Sequence, residues 1–238
     1  MKTIEKLKIK LFCDGADLDS ILSMYKQPYI QGFTTNPTLM RKAGISDYEA
    51  FGRKVLQSVP DRPISLEVFA DDLETMEAQA DKIATWGPNV NIKIPVTNTK
   101  GEFTGPLIKK LAAKGVVLNI TALMTVDQVK AVAECLDVNT PAIISVFAGR
   151  VADTGVDPVV LMKDCLDALK DYPKAELLWA SPRELLNVFQ ADEIGCHIIT
   201  ATPDILAKLK LVGKDLAEYS LDTVKMFYND ASMAGYSL

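Results

Sequence analysis

The residue of this sequence with the most chemical content is a lysine set inside an apolar strand pattern, Asn91-Ile-Lys-Ile-Pro95. An ammonium group is costly to bury there. Desolvation and neighbouring cations raise the share of free amine, and a free amine can attack a ketone to form an imine. Spacing alone leaves a second reading of Lys93 open, a strand-end lysine that snorkels to solvent or pairs with a carboxylate. Asp14 and Glu67 also end apolar runs, and two acids near an amine can divide general-acid and general-base work. Each can equally be a solvated acid or a helix cap. Asp14-Gly-Ala-Asp17 contains two capping candidates, and Asn36 before Pro37 is a good cap with no catalytic content. Ser181 and Arg183, joined by Arg150, offer helix-terminal donors and planar cations to an anion such as phosphate. A capping box with a surface ion pair is the plainer alternative.

Something must hold these groups together, and the rest of the chain says what. Short apolar runs at 8–13, 30–34, 64–68, 90–94, 116–120, 142–147, 175–179 and 197–200 alternate with longer amphipathic stretches. Val126, Val129, Ala133 and Leu136, for example, recur at the spacing of one buried helix face. Such alternation is the pattern of β-α units around a parallel sheet. Thr125-Val-Asp-Gln128 and Ser181-Pro-Arg-Glu184 fit the capping-box pattern, while Asn36-Pro37, Asp157-Pro158 and Thr202-Pro203 place proline just after a cap. No linker, repeat or low-complexity stretch interrupts the series. The reading is therefore an α/β protein, a single (β/α)8 barrel over residues 1–238. In such a barrel the C-terminal strand ends build the active site, so Asp14, Asn36, Glu67, Lys93, Asn119, Thr121, Ser145, Arg150, Ser181 and Arg183 are expected to converge. From Lys214 onward a further apolar stripe, Leu216, Tyr219, Val224 and Phe227, predicts an additional C-terminal helix that covers its own barrel or a neighbouring subunit. His197, ahead of Ile198-Ile199, reads as structural.

Composition narrows the function classes. Apolar residues make up 48% and charged residues 24%, which suits a globular protein with a sizeable core. The net charge of -5, without a basic block, gives no footprint for nucleic acid or an anionic membrane, so any anion site must be local. The start Met1-Lys2-Thr3-Ile4-Glu5-Lys6 is charged and no segment reaches membrane-span length, so a cytoplasmic protein is expected. Cys13, Cys135, Cys165 and Cys196 are widely spaced with no C-x-x-C pair and read as buried thiols in a reducing compartment. With His197 the one histidine in the chain, most zinc constellations are excluded, as are ordinary Ser-His-Asp or Cys-His catalysts unless His197 serves, and no metal role is expected.

Several of these residues lie in strings that together resemble the transaldolase and fructose-6-phosphate aldolase family over nearly the whole chain. They are Phe33-Thr-Thr-Asn-Pro37, Ser65-Leu-Glu-Val68, Ile92-Lys-Ile-Pro95, Leu118-Asn-Ile-Thr121, Phe147-Ala-Gly-Arg150 with Asp153, and Ala180-Ser-Pro-Arg183, in the family's order and spacing. The resemblance implies that Lys93 forms the imine, Asp14 handles protons, and Glu67 with Thr121 holds a catalytic water. It implies that Asn36, Asn119 and Ser145 bind the hydroxyls of a dihydroxyacetone fragment and that Arg150, Ser181 and Arg183 bind phosphate, with Thr35 and Phe147 also at the substrate. No metal or organic cofactor is implied, and sugar phosphates are the implied partners. Glu67 and Phe147 stand where family aldolases have glutamine and tyrosine, which makes the chain look like a transaldolase. A simple aldolase and a sugar-phosphate-binding barrel without catalysis are the competing readings. Gly15, Val146 and Ala148 depart from the family pattern and are expected to touch the walls of the sugar pocket. Short family members form ring-shaped assemblies through the C-terminal helix, so a homo-oligomer is expected.

Overall fold

A computed structural model describes residues 4–237. Eight parallel strands close into a barrel in chain order, β1 (Lys10–Asp14), β2 (Ile30–Thr34), β3 (Ile64–Glu67), β4 (Val90–Pro95), β5 (Leu118–Leu123), β6 (Ala142–Val146), β7 (Ala175–Trp179) and β8 (Ile198–Ala201). The first helices are α1 (Leu18–Tyr25), α2 (Pro37–Lys42), α3 (Tyr48–Ser58), α4 (Leu73–Ala84) and α5 (Gly105–Ala113). After them come α6 (Val126–Ala133), α7 (Ala148–Asp153), α8 (Pro158–Ala168), α9 (Leu186–Glu193), α10 (Pro203–Leu206) and α11 (Leu216–Met233). The fold is a (β/α)8 barrel with an added C-terminal helix.

Local signals explain the helix starts. Asp17, Asn36, Asp47, Asp72, Thr125, Asp157 and Asp215 each cap a helix by accepting from a backbone N–H. Each such cap stabilises by about 1 kcal/mol. Thr125 and Gln128 complete the predicted capping box. The predicted box at Ser181 does not form. Ser181 has φ 59°, and α9 starts only at Leu186. Asn187 Oδ1 takes the N–H groups of Arg183 (2.8 Å) and Glu184 (3.1 Å) instead. No free helix terminus therefore backs Ser181. Thr202 sits at the start of α10 but makes no side-chain cap.

The main core lies between strands and helices and includes Phe33, Ile64, Ile92, Leu118, Ile144 and Trp179. A smaller cluster of Phe12, Ile143, Leu178, Ala180 and Ile198 packs separately. Cys13, Cys165 and Cys196 are buried as expected, whereas Cys135 is half-buried, and all four are free. Leu177 N–H donates to His197 Nδ1 at 3.0 Å, and His197 O accepts from Lys10 N–H, which ties β1, β7 and β8 at the end of the barrel away from Asp14 and Lys93.

The tail is helical as predicted, but it does not cover its own barrel. No residue of α11 is buried, and Leu216, Tyr219, Val224 and Phe227 are all exposed. Among the described residues no helix is long and apolar enough to cross a membrane.

Candidate active site

The carboxyl ends of the strands enclose a cavity of about 550 Å³. Asp14, Asn36, Glu67, Lys93, Thr121, Ser145, Phe147, Arg150, Ser181 and Arg183 all line it, so the residues collected from strand ends do meet. Thr35 and Asn119 do not line it. Strand alternation explains Thr35, since Thr34 faces inward and its neighbour must face away. The Thr35 hydroxyl donates to Ser65 O at 2.9 Å, and its carbonyl accepts from Lys93. Asn119 lies two residues below Thr121 on the same strand, donating to Ser65 Oγ (2.9 Å) and accepting from Ser145 Oγ (2.7 Å). It reaches the cavity through Ser145.

Lys93 occupies the centre of this arrangement. Its side chain is 7% exposed. Register pairs its Cα with Glu67 on one side and Asn119 on the other. Its Nζ donates to Thr35 O at 2.8 Å and stands 3.2 Å from Glu67 Oε2. The lysine is therefore buried and ion-paired together, and the choice left open by its spacing falls against a side chain reaching solvent. The backbone of Glu67 is itself fixed, its carbonyl accepting from Tyr48 Oη at 2.6 Å.

Asp14 accepts from Thr34 Oγ1 at 2.7 Å through Oδ1, and Asn36 Nδ2 stands 3.4 Å from Oδ2. Burial pushes its carboxyl above the usual range. The charge of Lys93 and the Thr34 hydrogen bond oppose that push, while the charge of Glu67 adds to it. Asp17, not Asp14, is the cap of α1. Asn36 is the cap of α2, accepting from Leu39 N–H, and its amide nitrogen points at Asp14.

Strain is concentrated here. Ala122 (φ 66°) and Ser181 (φ 59°) are the non-glycine residues with left-handed backbone among those described, and both line the cavity. Such conformations cost about 1–3 kcal/mol and persist where the surroundings impose them. At Ala122 the β5–β6 register shifts, just after Thr121. Thr121 Oγ1 is buried without a hydrogen-bond partner, and of the three residues with such an atom among those described Thr121 alone lines the cavity. A hydroxyl left in this state is available to a bound water or substrate oxygen.

The end of the cavity that holds Arg150, Ser181 and Arg183 is built by α7 and the segment after β7. Gly149 is required there, because a Cβ at that position would stand 1.5 Å from Ser181 O. This close approach sets Arg150 beside Ser181 and Arg183. The guanidinium of Arg183 donates through Nε to Asp153 Oδ1 at 2.9 Å, through Nη2 to Asp153 Oδ2, and through Nη1 to Ser181 Oγ at 3.1 Å. That of Arg150 lies 5.3 Å from the Phe147 ring centroid.

Thr34, Thr38, Lys42, Met124 and Thr200 also line the cavity and were not anticipated. Thr34 and Thr200 were within reach of the strand-end rule that found the others, because each is polar and ends a predicted strand. Lys42 comes from the end of α2 and carried no such signal. Gly15, Val146 and Ala148, expected at the pocket wall, do not line the cavity.

Fold and site together define a (β/α)8 barrel protein with a lysine-centred site at the carboxyl end of its strands. The family model described as Transaldolase/Fructose-6-phosphate aldolase matches residues 11–237. The chain belongs to this family. It is 34% identical over 202 residues to a Dehalococcoides mccartyi protein named "Probable transaldolase", covering 84% of this chain and 90% of that one. A Listeria monocytogenes protein named "Probable transaldolase 2" is also 34% identical, over 84% of this chain and 88% of its own length. Among solved structures, 2,3-dimethylmalate lyase, a member of the PEP mutase/isocitrate lyase superfamily, has the same fold. The TM-score is 0.56 at 12% identity, over 98% of this chain and 86% of that one.

Proposed function

We propose that the chain is a transaldolase, moving a dihydroxyacetone unit from a ketose phosphate such as fructose 6-phosphate or sedoheptulose 7-phosphate to an aldose phosphate. The observation that carries this reading is the buried Lys93, held at 3.2 Å from Glu67 in a cavity that also holds Asp14. The amine of Lys93 adds to the C2 ketone, and loss of water gives the imine. Asp14 then takes the proton of the C4 hydroxyl while the C3–C4 bond breaks, releasing an aldose phosphate and leaving a three-carbon enamine on Lys93. Attack of that enamine on an acceptor aldehyde, with Asp14 returning the proton, and hydrolysis of the new imine complete the transfer.

The other lining groups fit this course. Glu67 and the unpartnered hydroxyl of Thr121 hold the water that hydrates the imine. Asn36 and Ser145, with Asn119 behind it, take the fragment's hydroxyls, and Arg150, Ser181 and Arg183 take phosphate. No step calls for a metal or organic cofactor. A carboxylate at Glu67 and a phenyl ring at Phe147 favour retention of the enamine until an acceptor arrives. The family also contains aldolases, and product analysis separates the two reactions. With fructose 6-phosphate and erythrose 4-phosphate, sustained formation of glyceraldehyde 3-phosphate and sedoheptulose 7-phosphate is expected. Sustained release of free dihydroxyacetone without an acceptor would make the chain an aldolase.

The same proposal covers assembly and location, a cytoplasmic homo-oligomer, ring-shaped, whose copies pack through α11. The exposed Leu216, Val224, Phe227 and Tyr228 support it. Sedimentation equilibrium of the whole chain tests it, and a monomer would contradict it.

A further inference from the structure

Asp14 is one end of a hydrogen-bonded chain that the reaction scheme above does not use. Thr34 Oγ1 donates to Asp14 Oδ1 at 2.7 Å, and Thr200 Oγ1 lies 2.6 Å from Thr34 Oγ1. A hydroxyl has one proton to give. With the proton of Thr34 committed to the carboxylate, Thr200 must be the donor in the second bond. The direction of the chain is thereby fixed, from Thr200 to Thr34 to Asp14. The three residues come from β8, β2 and β1, which are consecutive around the closed barrel. All three line the cavity, and both threonines are buried.

We infer that Thr200 is a positioning residue for the proton-transfer step: it orients the Thr34 hydroxyl, which occupies Asp14 Oδ1 and leaves Oδ2 to exchange protons with the substrate. The inference rests on the proposed role of Asp14. Donation from Thr200 polarises the Thr34 hydroxyl and strengthens its bond to the ionised carboxyl. At Oδ2 the only protein donor among the described residues is Asn36 Nδ2, at a long 3.4 Å, so that oxygen retains room for a substrate hydroxyl. The other charged or titratable groups acting on Asp14 are Lys93 from β4, Glu67 from β3 and the adjacent Cys13 thiol of β1. None of them belongs to the threonine chain, so a change at Thr200 reaches Asp14 through Thr34.

Thr200→Val keeps the side-chain shape and removes the donor, and Thr200→Ser keeps the donor. The carboxyl of Asp14 is followed in each by ¹³C NMR titration of aspartate-labelled protein, with the resonance assigned by its loss in Asp14→Asn. Kinetics with fructose 6-phosphate are measured in parallel across pH. Thr200→Val is expected to move the Asp14 midpoint, and with it the acid limb of kcat, to higher pH. Its kcat near neutrality falls about fivefold with KM little changed, the loss of one hydrogen bond of about 1 kcal/mol. Thr200→Ser titrates like the parent protein. An Asp14 midpoint unmoved in Thr200→Val, or a serine variant that titrates like the valine one, overturns the inference. The carboxyl readout does not depend on turnover. A protein that turns over no ketose but whose Asp14 still responds to Thr200 would count against the proposed function alone.

Discussion

Glu67 and Lys93 face each other across β3 and β4 as register partners, with Glu67 Oε2 3.2 Å from Lys93 Nζ. Adjacent parallel strands place partner side chains on one face, so this buried ion pair follows directly from the register. It sets a carboxylate beside the amine that is proposed to attack the ketose. Glu67→Gln keeps the shape and removes the charge. In that variant the share of donor turnovers ending in free dihydroxyacetone should rise by about tenfold relative to transfer, on the order of 1.4 kcal/mol between the two routes. Product ratios with and without erythrose 4-phosphate measure this, and an unchanged ratio would remove Glu67 from the control of transfer.

Asp14 predicts a stability effect whose sign can be derived. Burial raises its carboxyl in the folded protein, above an unfolded value of about 3.9. Between those two values the folded state binds more protons than the unfolded one, so stability is fully present below the unfolded value and declines as pH rises through the folded one. Asp14→Asn removes the charge that burial opposes. Its melting temperature should exceed that of the parent at pH 7, and the difference should close below about pH 4. Thermal melts across this range provide the check.

Gly149 constrains the end of the cavity that holds Arg150, Ser181 and Arg183. A methyl group there would stand 1.5 Å from Ser181 O, so Gly149→Ala must push α7 away from the segment after β7. Overpacking of this kind costs about 1–3 kcal/mol. Urea denaturation should report a loss in that range, and KM for the phosphorylated donor should rise because Arg150 and Ser181 separate.

Asp153 divides stability from binding. Its ion pair with Arg183 is about half exposed on both sides, and such pairs contribute about 0–1 kcal/mol. It also holds one edge of the guanidinium in place through two donors, Nε and Nη2. Asp153→Asn should leave the melting temperature nearly unchanged while raising KM for fructose 6-phosphate about tenfold, since about 1.4 kcal/mol corresponds to tenfold. Equal effects on phosphorylated and unphosphorylated donors would contradict a phosphate-orienting role.

The barrel was legible because its signals are local. Alternating apolar runs marked all eight strands, and Pro37, Pro158 and Pro203 each stand at the first position of a helix. Most of the site was legible because strand ends of a closed barrel must converge. Features that depend on the third dimension were missed. β5 runs on to Leu123 through the left-handed Ala122, which strand patterning does not foresee. Ser181 matched a capping pattern, but its left-handed backbone places it in a turn whose N–H groups go to Asn187. Thr35 was grouped with Asn36 although strand alternation turns it outward, and the link from Asp14 to Thr200 joins residues 186 positions apart in sequence, through Thr34.

The proposed chemistry depends on an imine between Lys93 and a ketose. Borohydride reduction in the presence of fructose 6-phosphate, followed by intact mass and peptide mapping, tests it most directly. One three-carbon adduct per chain is expected, located on Lys93 and absent from Lys93→Met. A protein left unmodified by fructose 6-phosphate and by other ketoses, or an adduct on another lysine that persists in Lys93→Met, would contradict it.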